Sequence, residues 1–363
     1  MEKFAFIIHP LAAQDVGRKF PFAAHWPAGF IEGLIKYIPP FTVSHIQGVQ
    51  SPLASAEGWF VGCPLTSRQM VNLPEEYVIK KIIKAGKVAE KLGAKVVGLG
   101  AFSSVVGDAG ITVAKNLNIA VTTGNSYTVA TALEGVRQAA KIMEKPLDRA
   151  NVVILGATGA IGSACAHILA REVRYLTLVA RSEAKLDKTA GAILKATGLA
   201  ARITANTKAA LQNADIVIAV TSAVDSVIEP EDLKQGAIVC DVSRPRNVSK
   251  RVAELRNDVL VIEGGVVEVP GDVDFGFNFG FPPQTAYACM AETMILALEG
   301  RYEHFTLGRD LTVKQIETID KLAKKHGFKL AGFRSFERAL TMAEIECIKI
   351  NSAMNRKTQG EVS

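Results

Sequence analysis

A chain of 363 residues, 48% hydrophobic and 21% charged, is long enough for two domains with separate cores and too apolar to be disordered. Its five cysteines, at positions 63, 165, 240, 289 and 347, form no CxxC pair, which excludes a zinc site or a disulfide scaffold and points to a reducing compartment. The formal charge of +6 suits an acidic partner or a phosphorylated cofactor, but solubility accounts for it more simply, and no basic patch interleaved with aromatics marks a nucleic-acid interface.

In chain order, 3–9 reads as a buried strand and 13–55 as an irregular stretch rich in proline, glycine and aromatics. A second strand is expected at 57–64, and a long helix at 75–92 ends at Gly93. A strand at 95–100, a short helix at 111–118 and a strand at 119–122 follow. The break at 123–126 starts a helix over 127–143. Then come a strand at 151–155, a glycine turn, helices at 163–172 and 183–197, and strands at 175–180, 201–204, 215–220, 237–241 and 259–262. This alternation is that of a Rossmann-type doubly wound parallel sheet. The tail, 284–350, reads as mostly helical, with a solvated amphipathic helix at 313–326.

The fold class is therefore α/β. An N-terminal α/β substrate domain is expected over 1–126, a connecting helix over 127–145, a Rossmann domain over 146–283 and a C-terminal helical segment over 284–363. The N-terminus lacks a signal-peptide layout and no apolar run has transmembrane length. The expected location is cytoplasmic, with surface contact to a membrane left open.

Gly156-Ala-Thr-Gly159-Ala-Ile-Gly162 follows one strand and precedes a helix, the setting a dinucleotide fingerprint requires. Gly156 permits the tight turn, Gly159 lets the backbone approach a pyrophosphate and Gly162 lets the helix pack closely. Thr158, Ala160 and Ile161 complete the set, their backbone lying at the positive end of the helix. The next strand leads to Arg181 and Ser182 where an NAD site carries an acid; these residues suit a 2′-phosphate, so the expected cofactor is NADPH. Thr221, Ser222, Ser243 and Gly265 lie at strand ends that line the cofactor crevice or cap helices.

Cys289 falls in a breaker-free run that Pro282 and Pro283 are expected to open as a helix, placing the thiol in its second turn. A helix start favours the thiolate, and a thiolate beside a nicotinamide suggests capture of an acyl group followed by reduction. Local sequence alone favours a buried packing cysteine between Ala288 and Met290. Cys165, Cys240 and Cys347 read as packing, Cys63 stays open as a substrate-side thiol, and His9 reads as a satisfied structural histidine before a proton donor. Phe275, Phe277, Phe279 and Phe281, at every second position, would share one face if extended. Acyl-tunnel lining and inter-domain packing are equally good readings of them.

Thr122-Thr-Gly-Asn-Ser-Tyr-Thr128, the 156–163 glycine block, Gly264-Gly-Val-Val-Glu268 and Ala286-Tyr-Ala-Cys289-Met-Ala-Glu292 together resemble, in order and spacing, the long-chain acyl–acyl-carrier-protein reductases of cyanobacteria. The likeness runs from residue 3 to about 330. It implies reduction of a fatty acyl thioester, on acyl carrier protein or coenzyme A, to a fatty aldehyde with NADPH through an acylated Cys289. It also implies an aldehyde-accepting enzyme as a possible partner. Asp241-Val-Ser-Arg-Pro-Arg246 stands where that family has a glycine–tyrosine–proline turn, which bears on chain length and carrier. Oxyanion donors are open among the 264–267 and 288–290 amides, Ser103, Ser104 and Asn125. The competing readings are a noncovalent NADP-dependent dehydrogenase of an amino, hydroxy or shikimate-like acid, and a nonenzymatic NADP-binding protein.

Overall fold

The computed structural model describes residues 1–223 and 225–360, with side chains up to Met354. It divides into two compact units: Met1–Thr128 with Val267–Ala331, and Val129–Val266 with Gly332–Ser363.

The first unit is built on a five-stranded sheet of β1 (Glu2–Ile8), β2 (Phe41–Gln50), β3 (Ser55–Gly62), β4 (Val96–Leu99) and β5 (Ala120–Thr122), in the order β2-β3-β1-β4-β5. β1 runs parallel to β3 and β4, and β4 to β5, while β2 is the antiparallel edge. A central parallel strand is covered on both faces, so it reads as an unbroken apolar run; Phe4, Ala5, Phe6 and Ile7 are all buried. The helices Glu75–Lys91 and Ala288–Leu298 pack on β1. A smaller sheet sets Val266–Glu268 between Thr285–Tyr287 and Lys329–Leu330.

The irregular reading of 13–55 is corrected by the ten-residue β2 and by the helix Ala28–Ile35. The pairing of β2 with β3 slips between Thr42 and Ser44 and again between Ile46 and Val49, and Gly48 has φ of 78°. Each bulge resets the inside–outside alternation, so no period of two survives in the sequence.

The second unit holds the doubly wound sheet. Its strands are β6 (Asn151–Leu155), β7 (Tyr175–Val179), β8 (Arg202–Thr204), β9 (Ile216–Ala219), β10 (Ile238–Asp241) and β11 (Leu260–Glu263), all parallel, in the order β11-β10-β9-β6-β7-β8. That is the nucleotide-binding order, with its switch point between β6 and β9. Val153, Val217, Val239 and Val261 share one buried cluster beneath the helices. The tail is less helical than expected: the helices Ala288–Leu298, Val313–His326 and Met342–Gly360 are separated by turns at Gly300 and Gly308 and by short strands over 329–339.

Candidate functional site

Cys289 is the second residue of the helix Ala288–Leu298, whose N-cap is Tyr287. The expected opening at Pro282 and Pro283 is corrected. Gln284 turns the chain with φ of 60°, its carbonyl accepts from Val269 N–H at 2.8 Å, and 285–287 pair as a strand. The helix therefore starts later and the thiol lies in the first turn, where amides lack intrahelical acceptors and the dipole acts most strongly. Burial, outweighing the pull of nearby Lys81 and Arg137, pushes the Cys63 and Cys165 thiols up to about 12, and it drives Cys240 up as well. A buried thiol raised in this way stays protonated at neutral pH, which counts against Cys63 as a substrate-side nucleophile. Cys289 is half-buried and Cys347 is exposed on the C-terminal helix.

The loop after β5 is fixed onto the cysteine helix. Gly124 has φ of 74°, and a methyl there would stand 2.3 Å from Cys289 Cα and 2.4 Å from its Cβ. Only glycine fits, on conformational and on steric grounds. One turn beyond Cys289, the fully buried Glu292 binds the loop. Its Oε1 accepts from the Thr122 hydroxyl and, at 2.8 Å, from the Thr306 hydroxyl, and its Oε2 accepts from Tyr127 N–H at 2.9 Å. Thr122 Oγ1 in turn accepts from the amides of Gly124 at 3.4 Å and Thr306 at 3.3 Å, and the Ser126 and Thr306 hydroxyls are 2.7 Å apart. Two amides already donate to Thr122, so its own proton points to Glu292. The donor set thus favours a carboxylate, while burial opposes the charge and raises the Glu292 carboxyl above its ordinary value. The network joins 122–127, 289–292 and 306.

Among the oxyanion candidates, the Ser103 hydroxyl donates to the Gly100 carbonyl and the Ser104 hydroxyl to the Ala101 carbonyl, both at 2.7 Å, so each proton is committed locally. The helix Asn125–Ile142 starts at the loop that Glu292 holds. Its Tyr127 amide goes to Glu292, and the amides of Asn125 and Ser126 have no acceptor among the described residues. Two unpaired amides thus follow directly on the glycine packed against Cys289. His9 takes its structural role: Phe102 N–H donates to its Nε2 at 3.1 Å, its Nδ1 lies 3.0 Å from the Pro10 carbonyl, and burial lowers its pKa to about 4.

The four phenylalanines do not form one extended face, because Gly276 and Gly280 turn the chain with φ of 59° and 91°. Phe60, Phe275 and Phe279 pack with centroids 5.1–6.0 Å apart; Phe281 meets Phe279 at 5.4 Å and Tyr287 at 4.4 Å. This aromatic row ends at the N-cap of the cysteine helix; Phe277 stands outside it.

In the second unit, Gly156 has φ of 89°, and a methyl on Gly162 would lie 2.3 Å from the Gly156 carbonyl oxygen. The helix Ala160–Leu169 begins after Gly159, and the amides of Ala160, Ile161 and Gly162 have no acceptor among the described residues. Three unpaired amides at a helix start, reached through the Thr158 turn, fit a pyrophosphate. Arg181 is exposed and has no hydrogen bond or ion pair among the described residues, and the Ser182 hydroxyl makes no capping bond at the head of Glu183–Thr197. Both groups fit a 2′-phosphate. Thr221 follows β9, where its amide donates to Asn247 Oδ1 at 3.0 Å and its hydroxyl accepts from Ala223 N–H at 3.2 Å. Gly265 turns between β11 and Val266–Glu268 with φ of 80°. Sequence reading passed over Thr306, which lies in an irregular segment, and nothing local pairs it with Glu292. Among the described residues, no cluster of three His, Cys, Asp or Glu forms a metal site, and no helix is long and apolar enough to cross a membrane.

Residues 137–263, which carry the six-stranded sheet, match the family model for shikimate / quinate 5-dehydrogenase. The aminotransferase PigE of a Serratia strain is 30% identical over 78% of this chain, which spans only 33% of that protein's length. Among solved structures, quinate dehydrogenase from Corynebacterium glutamicum in complex with NAD aligns with a TM-score of 0.34 and 14% identity, over 70% of this chain and 85% of that one. The long-chain acyl–acyl-carrier-protein reductase of Synechococcus elongatus is 31% identical over 332 residues, covering 87% of this chain and 94% of the relative. With its doubly wound sheet and glycine turn, the protein is an NAD(P)-dependent oxidoreductase of Rossmann type, and it belongs to the long-chain acyl–acyl-carrier-protein reductase family.

Proposed function

We propose that this protein reduces a fatty acyl thioester, carried by acyl carrier protein or coenzyme A, to a fatty aldehyde through an acyl group held on Cys289. One observation carries the reading: Cys289 is a half-buried thiol in the first turn of a helix, against a glycine whose next two amides are unpaired, while Cys63, Cys165 and Cys240 are driven out of the reactive range by burial. Cys289 sulfur attacks the thioester carbonyl. The bond from carbon to Cys289 forms, the bond to the carrier sulfur breaks, and the carrier leaves as a thiol with the proton Cys289 gave up. The Asn125 and Ser126 amides are the proposed donors to the carbonyl oxygen as it gains charge. The amides of 160–162 would hold the pyrophosphate of NADPH, Arg181 and Ser182 its 2′-phosphate, and Thr221 and Gly265 its nicotinamide ribose side. Bound there, NADPH supplies the hydride that turns the enzyme thioester into aldehyde. The carbon–sulfur bond then breaks, the aldehyde leaves, and Cys289 is left as a thiolate that attacks again directly or takes a proton from solvent.

The test is intact mass after mixing the protein with acyl-CoA in the absence of NADPH. An added acyl mass that disappears in Cys289→Ser supports the reading, and the absence of an adduct at every chain length overturns it. The match of 137–263 to the shikimate / quinate dehydrogenase model favours a second reading, noncovalent reduction of a small acid. In that case Cys289→Ser leaves turnover almost intact.

A further inference from the structure

The helix Ala28–Ile35 is apolar on two sides. Ile31 and Ile35 are buried, 2% and 5% exposed, in a cluster with Ala13 and the partly buried Val16 and Ile38. On an adjoining flank, about 100° round the helix, Phe30 and Leu34 precede the buried isoleucines, and with Trp26 and Tyr37 just beyond the helix ends the row Trp26, Phe30, Leu34 and Tyr37 is 38%, 58%, 45% and 76% exposed. Phe22, 68% exposed, extends the row: its ring lies 5.6 Å from Trp26, which lies 5.3 Å from Phe30. Between them Gly29 and Gly33 open onto empty space. A helix that buries one face and exposes a second row of large apolar side chains offers that row to a partner surface.

The charges around the row choose the partner. From 16 to 56 the chain carries Arg18, Lys19 and Lys36 against one carboxylate, Glu32, whose Oε1 accepts from the Thr66 hydroxyl at 2.9 Å. Asp15, just before, is taken by Arg18 at 3.2 Å. Lys81 and Tyr77, on the neighbouring helix Glu75–Lys91, hydrogen-bond the carbonyl of Lys36, so that helix flanks the Tyr37 end; it brings exposed Lys80, paired with Glu76 at 3.7 Å, and exposed Lys84, with Glu75 at its first turn. A helix side that projects aromatic rings outward, with tryptophan and tyrosine at its ends and cations at its margin, is complementary to an anionic lipid headgroup layer.

We propose that this protein docks reversibly on anionic membranes through Phe22, Trp26, Phe30, Leu34 and Tyr37. The inference rests on this surface alone and stands or falls independently of the acyl chemistry at Cys289. The full chain is sedimented with vesicles of phosphatidylcholine plus phosphatidylglycerol, and with phosphatidylcholine alone. Trp26 emission is followed in a Trp59→Phe background, which leaves Trp26 as the single tryptophan. Expected are co-sedimentation with the anionic vesicles, weakened by salt, and a blue shift of Trp26. Phe22→Ser combined with Phe30→Ser should lower vesicle partition by about a hundredfold, since two exposed rings leave the interface. An unchanged melting temperature shows that the doubly substituted chain is folded, and Phe30→Ser alone repeats the comparison if it is not. No binding to anionic vesicles overturns the proposal, as does equal binding by the substituted chain. So does a wild-type dimer that the same substitutions dissociate while neither form binds vesicles, which would assign the row to a second copy.

Discussion

The same physics occurs twice in this molecule, in sites assembled in opposite ways. At 156–162 a helix start exposes three unpaired amides, and the glycines that shape the turn lie within seven consecutive residues, with the Gly156 and Ala157 amides anchored on the Val179 carbonyl at 2.8 and 3.2 Å. At 122–127 another helix start exposes two unpaired amides, but there the turn is held from a distance. Glu292 fixes Thr122 and Tyr127, Thr306 joins from a third segment, and Cys289 packs on Gly124. A site made of backbone is local and serves many reactions, since all it offers is partial positive charge. The 122–127 arrangement is made by tertiary contact around a thiol, and the first-turn cysteine is what separates the two.

The sharpest break between them comes from Cys289→Ser. Turnover on an acyl thioester should fall by about a thousandfold or more, with the dissociation constant for NADPH unchanged by fluorescence titration. If both hold, binding and covalent chemistry reside in different places; retained turnover would make Cys289 a packing residue. Gly124→Ala tests whether the loop matters to the thiol. An alanine at φ of 74° is strained, and its methyl would overlap the Cys289 backbone at 2.3 Å. The displacement should lower kcat by roughly a hundredfold, since misplacing a reacting group by about 1 Å has that effect. Cofactor affinity should stay as it was; wild-type kcat would show that the loop does not position Cys289.

On the other side of the comparison, Arg181→Ala should raise the KM for NADPH by about 10- to 100-fold, the worth of one charge-assisted bond to a phosphate, and leave the KM for NADH alone. Equal losses with both cofactors would remove Arg181 from the 2′-phosphate. That the glycine turn and its sheet were legible follows from their construction: β6 is an apolar run, the glycines are needed where they stand, and every strand of the doubly wound sheet falls within one or two residues of its sequence reading. The cysteine site was legible only as fragments. Nothing local relates Glu292 to Thr122 or Thr306, because they meet only when the cysteine helix packs on β1 and β4. The helix start was misread for a related reason. Pro282 and Pro283 are common at a first turn, but here the backbone of Gln284 is recruited by Val269 into a sheet, and pairing overrides the local preference. Edge strand β2 was lost to its bulges.

The smallest effect concerns the carboxylate that holds the cysteine site together. Burial raises the Glu292 carboxyl, against the pull of the Thr122, Thr306, Tyr127 and Gly124 donors. A group that binds its proton more tightly when folded gives the native chain more bound protons than the unfolded one, in the window just above the ordinary glutamate value. Stability then falls as pH rises through that window towards the raised native value, and the contribution is most favourable below it. Glu292→Gln has no proton to lose. One of its two terminal atoms becomes a donor where the carboxylate accepts, facing either the Tyr127 N–H or the Thr122 and Thr306 hydroxyls, a cost of about 1–3 kcal/mol. That offset should shrink as pH rises, because the wild type alone must then bury a charge. Urea unfolding of both chains at a series of pH values reads the difference directly, and parallel curves would show that Glu292 titrates normally. At a pH above that window, where the wild type carries the charge, the same substitution removes a negative charge one turn from Cys289, so alkylation of the thiol should quicken a few-fold. Slower alkylation would mean that Glu292 serves the thiol by holding the 122–127 loop in place more than it hinders it by charge.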